Sequence, residues 1–147
     1  MDEDPQSLHG YYLEDLELGQ SAGYSKSFTA EDVADFARVS GDDNPLHLNA
    51  EFAASTRFET PIIHGMLTTS LWSTIVGTLL PGPGCAYMSQ SLKFYQPVRV
   101  GEKVEAKLTI TEIDHIKQRV QLKSEAWVGD TLVAEGETKT WVPRRDS

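Results

Sequence analysis

Cysteine is almost absent. Cys85 stands alone among 147 residues, so no intrachain disulfide can form and no cysteine-rich metal site can be built. Such a chain has no need of an oxidising compartment. Basic side chains are scarce too: 13 Lys and Arg face 22 Asp and Glu, a formal net charge of −9. A duplex-binding face requires clustered cationic excess, and an anionic membrane surface asks for the same. Neither nucleic acid nor membrane is therefore expected as a partner. No stretch approaches the ~18 consecutive apolar residues of a membrane span. The acidic start Met1-Asp2-Glu3-Asp4-Pro5 is the reverse of a basic, then apolar, secretory signal. A cytoplasmic protein is the expectation. Also missing are a Gly-rich phosphate loop, a hydrolase-type serine elbow, and a His/carboxylate pair at helical metal-ligand spacing with a third ligand nearby.

What remains is an ordinary globular composition, 39% hydrophobic and 24% charged, in one domain's length. Residues 1–10 read as a flexible N-terminus and residues 11–147 as a single domain. Charge is unevenly spread. Residues 1–60 carry 13 acids against Lys26, Arg38 and Arg57, whereas residues 61–147 carry 9 acids against 10 bases. The second half could tolerate an anionic ligand, although a solvated sheet face explains the pattern as well.

Thr29, with Asp32 three residues on, predicts a capped helix that places Val33, Phe36 and Ala37, with Val39 a further candidate, on one apolar face and stops at Gly41. Asn44-Pro45 predicts a second helix start, and a third helix is expected from Gly65 to Leu80, before Pro81-Gly82-Pro83-Gly84. From Thr60 to Leu92 there is no Asp, Glu, Lys or Arg. A helix without a charged face is enclosed on most sides, so another part of the chain must wrap it. Period-two alternation supplies the wrapping. It runs through Met88–Phe94, Val104–Ile110, Ile116–Val128 and Leu132–Val142, with Gly129-Asp130 as a two-residue hairpin turn. Four such strands and one N-terminal strand make a five-stranded antiparallel sheet curled around one helix, an α+β architecture.

Gly41-Asp42-Asp43-Asn44-Pro45-Leu46-His47 is the densest polar cluster. Pro45 pushes the preceding residue out of the helical region, so the chain turns, and either Asp can fold back toward His47 in the first turn of the next helix. A carboxylate favours imidazolium and a helix N-terminus opposes it, a balance suited to proton transfer. The plainer alternative is that these residues only start a helix. In His64-Gly65-Met66, the Gly65 amide opens a helix and could serve a carbonyl oxygen as an oxyanion donor. His64 reads as a satisfied buried histidine. Ser73 either faces a site or bonds back to the preceding turn. Cys85 reads as structural.

Together, Ser40-Gly41-Asp42-Asp43-Asn44-Pro45-Leu46-His47 and His64-Gly65-Met66-Leu67 resemble the R-specific enoyl-CoA hydratases of the MaoC-like group. The resemblance runs from about Leu16 to Val142 and includes Leu80-Pro81-Gly82-Pro83-Gly84 and Gln90-Ser91-Leu92-Lys93-Phe94. It implies the hot-dog fold and the reversible hydration of a trans-2-enoyl thioester to the R-3-hydroxyacyl thioester. Asp42, rather than Asp43, and His47 would be the catalytic dyad. Gly65 would bind the thioester oxygen, Asn44 would orient the loop, and Ser73 would lie at the edge of the site. No metal or cofactor is implied, since coenzyme A arrives on the substrate, and the expected assembly is a homodimer. Trp72, Ile75 and Val76 either line the acyl pocket or pack the core. Lys93, Arg57 and Arg99 are candidates for the coenzyme A phosphates, or are solvated cations. A thioesterase, an acyl-carrier-protein dehydratase and a non-catalytic acyl-CoA-binding protein are the alternatives.

Overall fold

Alternation of apolar and polar residues becomes, in a computed structural model that describes residues 4–146, one six-stranded antiparallel sheet. Its strands are β1 (Ser21–Ser27), β2 (Ala86–Gln90), β3 (Lys93–Phe94), β4 (Lys103–Asp114), β5 (Arg119–Val128) and β6 (Thr131–Trp141). They run in the order β1-β4-β5-β6-β2, and β3 also pairs with β6. On β4, Val104, Ala106, Leu108 and Ile110 are buried while Lys103, Glu105 and Lys107 are exposed, as a sheet with one wet face requires. The β5–β6 hairpin closes on Gly129 (φ 57°) and Asp130, with Val128 opposite Thr131.

Four α-helices among the described residues accompany the sheet: α1 (Ala30–Ser40), α2 (Pro45–Leu48), α3 (Ala50–Ala54) and α4 (Gly65–Thr78). α1 begins with a reciprocal cap. Thr29 Oγ1 accepts the Asp32 amide at 3.1 Å, and Asp32 Oδ2 accepts the Thr29 amide at 2.9 Å. It ends at Gly41, whose φ of 83° only glycine adopts cheaply. The charge-free helix α4 lies against β1, β2, β4 and β5 and buries Thr68, Thr69, Leu71, Trp72, Ile75 and Val76. The sheet covers one side of the charge-free helix, while Met66, Ser73, Gly77 and Thr78 stay exposed on the other.

Several expectations are corrected. The alternation over Met88–Phe94 is broken into β2 and β3, so there are six strands rather than five. The break lies where Ser91 crosses Gly136: a Cβ on Gly136 would come within 1.8 Å of the Ser91 carbonyl oxygen. Val39 lies off the buried face of α1, exposed to solvent, and only Val33 and Ala37 of that helix are buried. Ile116 is outside β5, 88% exposed in the turn after β4. The helix opened by Pro45 is divided by Asn49, whose Oδ1 accepts the Phe52 amide at 3.0 Å and caps α3. α4 stops at Thr78, because the Leu79 and Leu80 amides both turn back to the Ile75 carbonyl. Residues 1–3 of the expected flexible end lie outside the described residues. From Asp4 the chain forms an exposed 3-10 turn, Pro5–Leu8, and is then anchored by the Gly10 amide on the Pro83 carbonyl at 2.8 Å.

Candidate active site

α1, α2 and the start of α4 meet at one end of the sheet. Three local devices shape the chain between α1 and α2. Ser40 Oγ accepts the Asp42 amide at 3.1 Å, Asp42 Oδ1 accepts the Asn44 amide at 3.3 Å, and Asn44 Oδ1 accepts the Leu46 amide at 3.0 Å. The last bond caps α2, whose first residue is Pro45. His47 falls one turn in, and its Nδ1 lies 2.7 Å from the Ile62 carbonyl oxygen. A carbonyl only accepts, so Nδ1 carries the proton and Nε2 of the neutral ring holds the free lone pair. Segment 58–63 is itself braced. Arg99 donates to Thr60 Oγ1 at 3.1 Å and to the Phe58 carbonyl at 3.0 Å, while the Ile63 amide donates to the Val98 carbonyl at 2.7 Å.

His64 sits at the N-cap of α4, 2% exposed. Its Nε2 is 3.0 Å from the backbone oxygen of Asp42, its ring stacks on that of His47 at 3.9 Å between centroids, and Phe36 leans on it at 4.7 Å. Its Nδ1 has no hydrogen-bond partner among the described residues, which corrects the expectation of a satisfied histidine. The Leu67 and Thr68 amides both bond to the His64 carbonyl, so Gly65 and Met66 carry the first-turn amides that have no helical acceptor.

Asp42, His47, His64 and Gly65 all line one cavity of about 520 Å³, with Phe36, Phe94, Val98, Val133 and Ala134 among its apolar walls. Asp43 is not among the lining residues, so the cavity separates the two neighbouring aspartates. Asn44 is not among the lining residues either, and its Oδ1 caps α2 from the loop. Arg57 is in the wall, its guanidinium 4.8 Å from the Phe58 ring centroid. Arg99 is occupied in bracing the loop, and Lys93 borders a separate groove with Lys123 and Glu137. Trp72, Ile75 and Val76 belong to the core, not the cavity, and Trp72 Nε1 donates to the Glu125 carbonyl at 3.0 Å. Ser73 is exposed on α4, outside the cavity of the single chain. Burial pushes the Cys85 thiol up, away from thiolate, and its Sγ is 3.3 Å from the Val76 carbonyl.

Sequence spacing did not find the bulge at Val133. Ala126 pairs with Ala134 and Trp127 with Leu132, leaving Val133 as an extra residue on β6. Two consecutive residues, Val133 and Ala134, are therefore buried and face the cavity. Nor did spacing anticipate that Asp42, His47 and His64 each offer a ligand atom within 4.8 Å of the others, a donor set of metal-binding type. The stacking argues against one ion held by both rings. An ion shared by two imidazoles lies near the plane of each ring, about 2 Å from each nitrogen, whereas these rings are stacked, 3.9 Å between centroids, and do not converge edge-on. The arrangement instead offers a basic nitrogen, a carboxylate and a backbone donor around an apolar space.

Residues 16–136 match the family model described as MaoC like domain. The chain is 44% identical over 139 residues to the 3-hydroxybutyryl-CoA dehydratase of Methylorubrum extorquens, covering 95% of this chain and 88% of the relative. It is 43% identical over 145 residues to the (R)-specific enoyl-CoA hydratase of Rhodospirillum rubrum, covering 99% of both. Among solved structures, the (R)-hydratase from A. caviae involved in PHA biosynthesis superposes with a TM-score of 0.86 at 45% identity, covering 88% of this chain and 99% of that one. The sheet wrapped around α4 is thus the hot-dog fold, and the chain belongs to the MaoC-like domain family.

Proposed function

We propose that this chain catalyses the reversible addition of water to a trans-2-enoyl-CoA, giving the (R)-3-hydroxyacyl-CoA. The observation that carries the reading is the convergence of the Asp42 carboxylate, the His47 ring and the Gly65 amide on one apolar-walled cavity. The relatives' named activities, a 3-hydroxybutyryl-CoA dehydratase and an enoyl-CoA hydratase, are the two directions of one such reaction.

In this reading the thioester oxygen takes the Gly65 amide at the start of α4, where the helix dipole also favours negative charge. Electron density drawn onto that oxygen leaves the β-carbon electrophilic. Water, held between Asp42 and His47, attacks that carbon, and its proton passes to the free Nε2 of His47. The imidazolium returns the proton to the α-carbon on the same face. The C–O and C–H bonds formed balance the O–H and C=C π bonds lost, and no external redox partner enters. Asp42 aligns the water and supports the transient positive charge on His47. Arg57 is the cation placed to meet a phosphate of the bound carrier.

A homodimer belongs to the same proposal. Met66, Tyr87, Met88 and Phe94 are large apolar side chains exposed in the single chain, and β2 ends the main strand path of the sheet. A second copy over this face would cover them and bring the exposed Ser73 side of α4 into an interface.

The test is loss of enoyl absorbance with crotonyl-CoA, chiral analysis of the product, and sedimentation of the enzyme. R-3-hydroxybutyryl-CoA and a dimer are expected. An S product, release of free thiol, or turnover of carrier-protein thioesters alone would overturn the assignment. Asp42→Asn should lower turnover about 100-fold or more while the dimer persists.

A further inference from the structure

His64 plays no part in the bond-making steps above, yet it touches both residues that do. Its Nε2 is 3.0 Å from the Asp42 carbonyl oxygen, so that nitrogen carries the proton and donates to the loop bearing the carboxylate. Its ring lies face to face with His47 at 3.9 Å. Its Nδ1 is buried without a partner, a costly state for a polar atom, and one that a residue serving only as packing would not need. A phenylalanine would fill the space without that cost, but could not hold Asp42.

We infer that His64 is the positioning residue of the acid–base pair: its Nε2–H fixes the backbone of Asp42 while its ring face fixes the plane of His47. The inference rests on the hydratase reading. Two restraints then set the His47 ring, the Ile62 carbonyl along its edge and the His64 ring across its face. The edge contact selects the nitrogen that carries the proton, and the face contact limits rotation about the side-chain bond. When His47 takes the proton from water, the resulting cation lies against the π face of the His64 ring, the arrangement that favours a cation over an aromatic surface. The bond from Nε2 to the Asp42 carbonyl leaves Nδ1 as the ring nitrogen with no hydrogen-bond partner among the described residues. His64 is thereby a donor to Asp42 and a stacked neighbour to His47. The other titratable groups of the cavity are Asp42 from the α1–α2 loop, Arg57 after α3 and Tyr95 after β3, while α1 contributes only the uncharged Phe36 and Ser40.

Two substitutions separate the roles. His64→Gln places an amide nitrogen near the position of Nε2 and keeps the bond to Asp42, but removes the ring. His64→Phe keeps a ring against His47 and removes the donor. With crotonyl-CoA, both variants should keep KM within about threefold and lose about 10- to 100-fold in kcat. The acid limb of the kcat/KM profile should move in His64→Gln, where His47 loses its π face, and stay in place in His64→Phe. Nitrogen-15 spectra of the unmodified protein should show the His64 ring with Nε2 protonated and Nδ1 bare, that signal disappearing in both variants. The inference is overturned if both variants keep wild-type kcat, if activity falls only in step with the folded fraction, or if the spectra place the His64 proton on Nδ1. Absence of hydration by the unmodified enzyme is a different failure, that of the hydratase reading, and leaves the tautomer measurement standing. Should His64→Phe not fold, His64→Gln and the spectra decide.

Discussion

The Nδ1 of His47 lies 2.7 Å from the carbonyl oxygen of Ile62, 15 residues further along the chain. This contact fixes which nitrogen of the ring is free, and that nitrogen is the one the proposed mechanism uses as base. His47→Asn separates the contact from the chemistry. An asparagine amide nitrogen occupies nearly the position of Nδ1 and can still donate to Ile62, but nothing replaces Nε2. The variant should melt within a few degrees of the unmodified protein and lose about 10²- to 10⁴-fold in kcat for crotonyl-CoA hydration. Activity retained with asparagine would assign the base elsewhere.

Gly65 is constrained by its neighbour rather than by its own dihedral angles. A Cβ there would lie 2.7 Å from Cε1 and Cζ of Phe94, a cavity-wall residue that is 49% exposed. A half-exposed ring can swing aside, so Gly65→Ala should fold. Its methyl group, however, stands over the amide that we propose meets the thioester oxygen. The expected result is a fall of about 10- to 100-fold in kcat/KM with little change in melting temperature. Adding Phe94→Ala should restore the geometry of the wall and recover only part of the activity, because the methyl remains.

Trp72 and Val133 distinguish core from cavity. Trp72 is 1% exposed within the core, and Trp72→Ala should cost about 3–5 kcal/mol in denaturant unfolding while leaving relative rates on four-, six- and eight-carbon enoyl-CoAs unchanged. Val133 faces the cavity, so Val133→Ala should move the kcat/KM ratio toward longer acyl chains by about 10-fold at a smaller cost in stability.

The two outcomes also show why one pair of residues was legible in the sequence and the other was not. Asp42 and His47 are five residues apart, and the turn between them is written in Gly41, Asn44 and Pro45, each acting within two or three positions. The cap of α1 and the Gly129-Asp130 hairpin are equally local and appear where the residues placed them. Val133 enters the cavity through a bulge whose cause is the pairing of two strands, which period-two counting along one strand does not contain. His64 looked like an ordinary core histidine because its contacts are 17 and 22 residues away, on His47 and Asp42. The same holds for Trp72, Ile75 and Val76. A charge-free helix has apolar residues on every side, and only the fold says which side meets the sheet and which the cavity.

Cys85 provides a pH test. Burial pushes its thiol up, so the folded state opposes the thiolate. An acid whose folded pKa is raised stabilises the protein while it is protonated in both states, and the contribution is lost as pH rises past the value in the unfolded chain. Melting temperature should therefore decline above about pH 9 more steeply for the unmodified protein than for Cys85→Ala. Iodoacetamide should modify Cys85 more slowly than it does free cysteine at pH 8, without abolishing turnover of enzyme that escapes modification.

Arg57 and Arg99 stand near the same loop and should fail in opposite ways. Arg57 is in the cavity wall, free of any ion pair among the described residues, its guanidinium resting on Phe58. Arg99 spends its donors on Thr60 and Phe58 and holds the strand-like bridge between Ile62 and its own backbone. Removing Arg57 takes away a cation that a phosphorylated carrier can use and little else. Arg57→Ala should raise KM for crotonyl-CoA about three- to tenfold at low salt, with kcat nearly unchanged, and the difference should shrink as ionic strength rises and screening sets in. Removing Arg99 frees the segment whose Ile62 carbonyl orients His47. Arg99→Ala should lower melting temperature and kcat together, with KM and its salt dependence much less affected. If instead Arg99→Ala raised KM in a salt-dependent way and Arg57→Ala did not, the phosphate contact would belong to Arg99, and the bracing of the loop would have to be carried by the Ile63–Val98 backbone bond.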